Sequence, residues 1–354
     1  MSQNNDSSAL LEHEFKGVIE NVDLSAGSFV GQSFEGKRLS GVIFRGADLS
    51  GCSFERTDIK DCDFSGSILL NASFSEANLL KVKFSKAKLI GTNFTGLQAK
   101  NSDFSDVFGT DSNWYSALID TCLFDQAILI KANFEQSSAI NSSFKKVDFT
   151  EAVLKRATFQ KSDLSEAVFK STLMQQCYLV EAKLPKQKFV DCDLTLVIFS
   201  QADLSGSNFS GMVLNQVSFE RARLSESDFS NSSLSHVIFS TADLSGSNFD
   251  VTEIKHANFD FALMKGAQAH SALWSHCVLT NTDLSGVSFS KIKFKYSDLS
   301  KANLHNSDFT NSSFEACVLY EIADLKTLWN GANFKNCIKE DKLRLKADEW
   351  QPPN

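Results

Sequence analysis

The sequence predicts an all-β fold in which the chain winds as a four-sided coil stacked on itself. Three observations predict it. Large apolar residues recur every five positions from Leu24 to Leu319, on numbers ending in 4 or 9, giving 60 units without an insertion. Of the 31 phenylalanines, 28 stand at such positions, and only Phe15, Phe108 and Phe261 do not. Phenylalanine and leucine alternate over long stretches, as in Phe199, Leu204, Phe209 and Leu214, so like residues recur every ten.

A period of five fits neither regular element. On a helix it turns successive centres by about 140°, leaving no apolar stripe. On a straight strand it sends them to opposite faces. Either arrangement would expose about half of the large centres, at roughly 1.5–3 kcal/mol each. A bend after every unit removes the conflict, because each centre then points inward from a new side. Alternation at ten requires an even number of sides, and four gives a coil of about 20 residues per turn. The second inward position lies two before each centre and is nearly always Ala, Ser, Cys, Thr or Val. It is small because the large centre already fills that part of the tube.

Along the chain, residues 1–20 lack the period and are expected to cap the first coil, with "SSALLEHEF" as a short helix. An uncovered coil end is an open backbone edge. Residues 21–320 form the coil itself. Four of its centres are small: Ala99, Gly109, Ala139 and Ala269. The Phe centres end in 4 from 54 to 144 and in 9 from 149 to 259. At Phe144 and Phe149, therefore, either Phe moves to the other two sides or five residues loop out. Residues 321–354 carry degenerate last repeats, including "ANFKN", and a C-terminal cap or tail with a helix before Pro352.

The units "ADLSG" at 47–51 and 202–206, "ANLLK" at 77–81 and "ANLHN" at 302–306 resemble the A(D/N)LXX pentapeptide-repeat family. The resemblance implies a right-handed quadrilateral β-helix, a solenoid with short terminal caps. It implies little about activity, because such a family shares a scaffold and not a chemistry.

The net charge is −8, with 35 basic and 43 acidic residues. Residues 1–177 carry 18 basic and 22 acidic groups, and 178–354 carry 17 and 21. No basic half exists to hold phosphates, so direct nucleic-acid binding is not expected. The N-terminus has neither a basic start nor an apolar core, and no apolar run approaches the length of a membrane span. A cytoplasmic protein is expected, with a secreted effector lacking a classical signal as the alternative.

Chemistry-bearing residues fall into the same frame. Cys52, Cys62, Cys122, Cys177, Cys192, Cys277, Cys317 and Cys337 all end in 2 or 7, the small inward slot. They read as buried, reduced fillers and not as metal ligands or disulfides. The six histidines (13, 236, 256, 270, 276 and 305) are scattered and match no metal or nucleophile motif. No phosphate loop, nucleophile elbow or carboxylate pair stands out. No enzyme, cofactor or metal is expected.

Function is sought where the rule breaks or where the surface is unusual. Phe108 beside Gly109, Tyr115 beside Trp114, and Phe261 ahead of Ala269 and Trp274 are irregular sites, with local repacking as the simpler account. Residues 20 apart should stack on one outer side. Asp163, Asp203, Asp243 and Asp283 then form an acidic stripe, interrupted by Lys183 and Arg223. Val153, Leu173, Val213 and Leu273, with Tyr178, Ile198, Ile238 and Val278 on the next side, form an apolar region. Exposed apolar surface of this kind marks a partner or self-association.

The leading expectation is a non-enzymatic protein-binding rod or scaffold, possible as a homodimer, whose partner the residues do not name. The resemblance allows a bacterial effector or a secretion-associated component. It also offers an alternative, a mimic of duplex DNA that binds DNA gyrase or topoisomerase, as in the quinolone-resistance branch. The diluted charge and the basic cluster Lys81, Lys83, Lys86 and Lys88 weigh against that alternative.

Overall fold

A computed structural model describes residues 17–340 and Trp350. The helices expected over "SSALLEHEF" and before Pro352 lie outside the described residues. Among the described residues there is no helix, and every named strand is two or three residues long.

The chain divides into two compact units, Met1–Val197 and Ile198–Asn354. In the first unit, β1 (Val18–Glu20), β2 (Arg38–Ser40), β3 (Asp58–Lys60), β4 (Asn78–Leu80), β5 (Gln98–Lys100), β6 (Leu118–Asp120) and β7 (Ser138–Ile140) form one parallel sheet in chain order. Each strand pairs with the residue 20 further on, as Leu39 with Ile59. A shorter pair follows on another side, β8 (Phe169–Lys170) with β9 (Phe189–Val190). The second unit repeats the plan with β10 (Val213–Asn215), β11 (Ser233–Ser235), β12 (Glu253–Lys255), β13 (Leu273–Ser275), β14 (Lys293–Lys295), β15 (Ser313–Glu315) and β16 (Asn333–Lys335). Single parallel bridges at the same spacing hold the remaining sides. Twenty residues per turn is therefore the register within each unit. The coil also starts earlier than position 21, since Val18–Glu20 already pair with Arg38–Ser40.

The corners explain the period. Two residues after each centre the backbone turns left-handed, as at Arg56 (φ 53°), Lys86 (φ 61°) and Arg156 (φ 57°). Most corners close with a bond from the residue three after the centre, such as Gln32 N–H to Phe29 O at 2.9 Å. A positive φ at the third position of such a turn is the type II geometry. The corners of the two large sheets are built differently. At several of them the N–H that would close the turn donates to a side chain one turn onward: Val82 to Ser102 Oγ at 3.1 Å, Ser142 to Ser162 Oγ at 3.1 Å, and Cys277 to Ser297 Oγ at 3.1 Å. A buried N–H left without a partner would cost about 1–3 kcal/mol, so the small slot carries a hydrogen-bonding duty as well as a size limit.

The core is a set of aromatic columns. Phe54 stacks on Phe34 and Phe74 at 4.7 and 4.6 Å and meets Phe64 edge-on at 5.6 Å. The change of phase is resolved without a loop-out. Ser143 bridges Leu123 and Asp163, and Asp148 bridges Ile128 and Val168, so the register is unbroken. Phe moves to the other two sides, and Phe144 meets Phe149 at 5.9 Å with planes tilted 37°.

Candidate interaction surface

The irregular centres are repacked from within. Gly109 is buried against Leu129, where an added Cβ would come within 2.8 Å of Leu129 Cδ2. Trp114 stacks on Phe94 at 4.0 Å, and its Nε1 donates to Ser112 Oγ at 2.8 Å. Ala269 is fully buried, and Trp274 stacks on Phe259 at 5.0 Å while its Nε1 donates to Thr252 Oγ1. Of the outward residues beside them, Phe108 and Phe261 are exposed. Tyr115 is half-buried, with its hydroxyl on Gln136 Oε1 at 3.1 Å.

All eight cysteines are free, six buried and Cys192 and Cys337 half-buried. Burial pushes the thiols of Cys52, Cys62, Cys122 and Cys317 up to about 11 and that of Cys277 to about 12. They are more than apolar fillers, however. Cys62 Sγ accepts from Val42 N–H at 3.4 Å, and Cys52 Sγ donates to Phe29 O at 2.9 Å.

The acidic stripe has a local purpose. Asp163, Asp203, Asp243 and Asp283 each accept the N–H of the serine two residues on, at 3.0–3.2 Å for Ser165, Ser205, Ser245 and Ser285. These are side-chain caps of the following turn. In the second unit the row runs Asp203, Arg223, Asp243, Leu263, Asp283 and Asn303, and Asp203 lies 3.3 Å from Arg223.

The apolar residues divide between the units. In the first, Val153 (half-buried) bridges Leu173 (exposed), and Tyr178 is exposed on the next side, bridged to Thr158. In the second, Ile198 (half-buried), Ile238 and Val278 (both exposed) share one ladder, with Ser218 and Asn258 between them. Val213 (62% exposed) and Leu273 (half-buried) share another, separated by Ser233 and Glu253. Polar rungs therefore break both rows.

Between those two ladders runs the feature that sequence reasoning missed. His236, His256, His276 and Tyr296 occupy one corner in four successive turns, two residues after the centres of β11 to β14. Their rings stack at 4.8, 4.8 and 5.0 Å with planes within 28° of parallel. All four side chains are exposed. Their backbones are fixed by bonds one turn onward, as His256 N–H to Ser275 O at 3.0 Å. Elsewhere corner positions carry charge pairs such as Lys131–Glu151 and Lys161–Glu181, at 3.6 and 3.7 Å. The signal was present as three histidines spaced by 20. Parallel imidazoles 4.8 Å apart aim their lone pairs side by side, so a single ion at about 2.0–2.1 Å from each nitrogen cannot be shared. No metal-holding cluster occurs among the described residues.

Two other histidines act locally. His305 Nδ1 accepts Leu325 N–H at 3.0 Å. His270 lies between Asp250 Oδ1 (2.8 Å from Nδ1) and Ser288 Oγ (2.9 Å from Nε2). That order resembles a nucleophilic triad, but an acyl-transfer site also needs main-chain donors aimed at the oxyanion. The N–H groups of Ser288 and Phe289 are spent on Ala267 O and Asp308 O, at 2.9 and 2.8 Å.

Comparison with known proteins agrees with this architecture. A family model described as a pentapeptide repeat region matches residues 37–114, 145–229 and 212–289, and a second, for pentapeptide repeats in eight copies, matches 122–156, 275–311 and 297–321. Among solved structures, HetL of the cyanobacterium Nostoc sp. strain PCC 7120, a protein involved in heterocyst differentiation regulation, is 21% identical over 66% of this chain and 91% of its own, with a TM-score of 0.38. A thylakoid-lumen protein of Arabidopsis thaliana is 30% identical over 28% of this chain and 66% of its own (TM-score 0.23). The plasmid-mediated fluoroquinolone resistance protein QnrB1 is 16% identical over 62% and 92% (TM-score 0.29). No relative among curated proteins matches the chain. Among the described residues no helix is long and apolar enough to cross a membrane.

Proposed function

Because the chain belongs to the pentapeptide-repeat family, whose scaffold is shared by proteins of unlike activity, we propose that it is a non-catalytic scaffold that binds another protein. The docking surface is the corner of the second unit built from His236, His256, His276 and Tyr296, with Val213, Ile238, Leu273 and Val278 on the flanking ladders. The observation that carries this reading is the run of four stacked, exposed aromatic rings on one corner, whose neighbouring turns carry Gln216 and Ala316. Aromatic side chains supply large contact area at low conformational cost, which suits them to interfaces.

A non-catalytic role is favoured by the engaged N–H groups around Ser288 and by thiols held protonated through burial. The place of action is proposed to be the cytoplasm. A DNA-mimicking role draws less support, since the aspartates of the acidic row already cap their own turns.

Parallel affinity captures test the proposal, with the native chain and a Val213→Asp/Ile238→Asp variant as baits. Both residues are exposed, so the variant keeps its fold, which circular dichroism verifies. Proteins retained by the native chain and lost from the variant are the expected result. Identical retained sets on both baits would refute docking on this side.

A further inference from the structure

The stacked corner has a chemistry of its own. We propose that His236, His256 and His276 form an acid-gated site for an acidic, amphipathic peptide segment lying along the corner. The inference rests on the docking reading and gives its partner a chemical class.

The argument begins with charge. The charged groups around the ladder are Lys255 and Glu253 on β12, Lys293 and Lys295 on β14, Glu315 on β15, Lys335 on β16, which holds Glu315 at 2.9 Å, and Asp298 beyond the corner. Lys255 pairs with Glu253 at 2.6 Å, and Lys295 with Glu315 at 3.4 Å. Asp298 accepts Ser300 N–H at 2.9 Å. Four lysines against three carboxylates leave the corner with one positive charge while the imidazoles are neutral. An imidazole ordinarily gains its proton in the range about pH 5–8. Protonation thus adds up to three positive charges to this aromatic edge, on a chain whose net charge is −8.

Geometry selects the ligand. Three imidazolium rings 4.8 Å apart repel one another along the row, and an anionic chain lying on them relieves that repulsion. Binding and protonation are therefore linked, so ligand uptake draws in protons. The flanks decide between an acidic peptide and a nucleic acid. Ile238 and Val278 stand two residues after His236 and His276, and both are exposed. They offer apolar contact to side chains interleaved with carboxylates, which a phosphodiester backbone does not provide.

The test uses the full chain and a short peptide alternating glutamate with leucine, titrated calorimetrically at about pH 5.5 and about pH 7.5. Binding should be at least about tenfold tighter at the lower pH, weaken with salt, and be accompanied by proton uptake, seen as a dependence of the heat on the buffer. In the triple variant His236→Asn/His256→Asn/His276→Asn the acid-dependent gain should vanish. Asparagine tolerates the left-handed corner, and Asn281 already stands at the equivalent position of another corner with φ 55°. A serine–leucine peptide should show no acid gain. Equal affinity at the two pH values, an unchanged gain in the triple variant, or tighter binding of a single-stranded oligonucleotide of equal charge would each overturn the proposal. If any of these occurs while Val213→Asp/Ile238→Asp still loses captured proteins, the docking reading stands and only the acid-gated ligand falls.

Discussion

The main-chain N–H of Cys122 donates to Ser142 Oγ at 3.0 Å, one turn onward, while the Cys122 thiol accepts from Ser102 N–H at 3.4 Å. Side chains in the small slot thus finish corners that the backbone leaves open. Replacing Ser142 by alanine should leave a buried N–H unpaired and destabilise the chain by about 1–3 kcal/mol. Ser142→Cys should cost less, because sulfur still accepts, if weakly. Denaturant midpoints check this, and equal losses for the two variants would mean that size alone matters there.

Val251 is a second test, of the corners themselves. It is a β-branched residue at φ 59° and is 57% exposed. Left-handed backbone costs such a residue roughly 1–2 kcal/mol, whereas asparagine or glycine adopts it readily. Val251→Asn should therefore raise the unfolding midpoint, by an amount corresponding to about 1 kcal/mol. A loss of stability would show that the valine side chain makes a contact worth more than the strain.

Acid should weaken the first unit through Asp63. Burial pushes its carboxyl up, but bonds from Ser65 and from Arg45 Nε (2.7 Å) outweigh that and hold it below the usual carboxylate range. A group whose folded value is depressed adds stability above its unfolded value, about 3.9, and loses it as pH falls through the folded value. Asp63→Asn should hence be less stable than the native chain at neutral pH, with the gap closing below about pH 4. Unfolding measured across that range checks the sign, and a gap independent of pH would contradict it.

The buried plan of this molecule was open to reading because one side-chain shape repeats in one role. Phe, Leu and Ile at positions ending in 4 or 9 face inward on every side, and the cysteines sit where Ala and Ser sit. The change at Phe144 and Phe149 was visible as a choice between two outcomes, and only the unbroken bridges at Ser143 and Asp148 decide it. Which side carries open corners was not legible. Closed and open corners draw on the same small residues three positions after the centre, so Ser102 and Ser67 look alike in sequence. Ser102 Oγ accepts Val82 N–H, whereas Ser67 Oγ donates to Phe64 O. The histidine column escaped notice because outward positions were sought one residue before each centre, while the rings stand two residues after it.

The register of 20 residues has an evolutionary and engineering consequence in the counting of insertions. Removing five residues between His236 and His256 would keep a turn at every corner and a large residue facing inward. Yet everything downstream would rotate by one side, and His256 would leave the column that it shares with His236. Removing 20 would delete one rung and leave the neighbours aligned. The chain therefore obeys two nested arithmetics: units of five preserve the turns and the inward residues, and only multiples of four such units preserve the columns inside and the face outside. The face seen by a partner can be lengthened or shortened only by a whole turn.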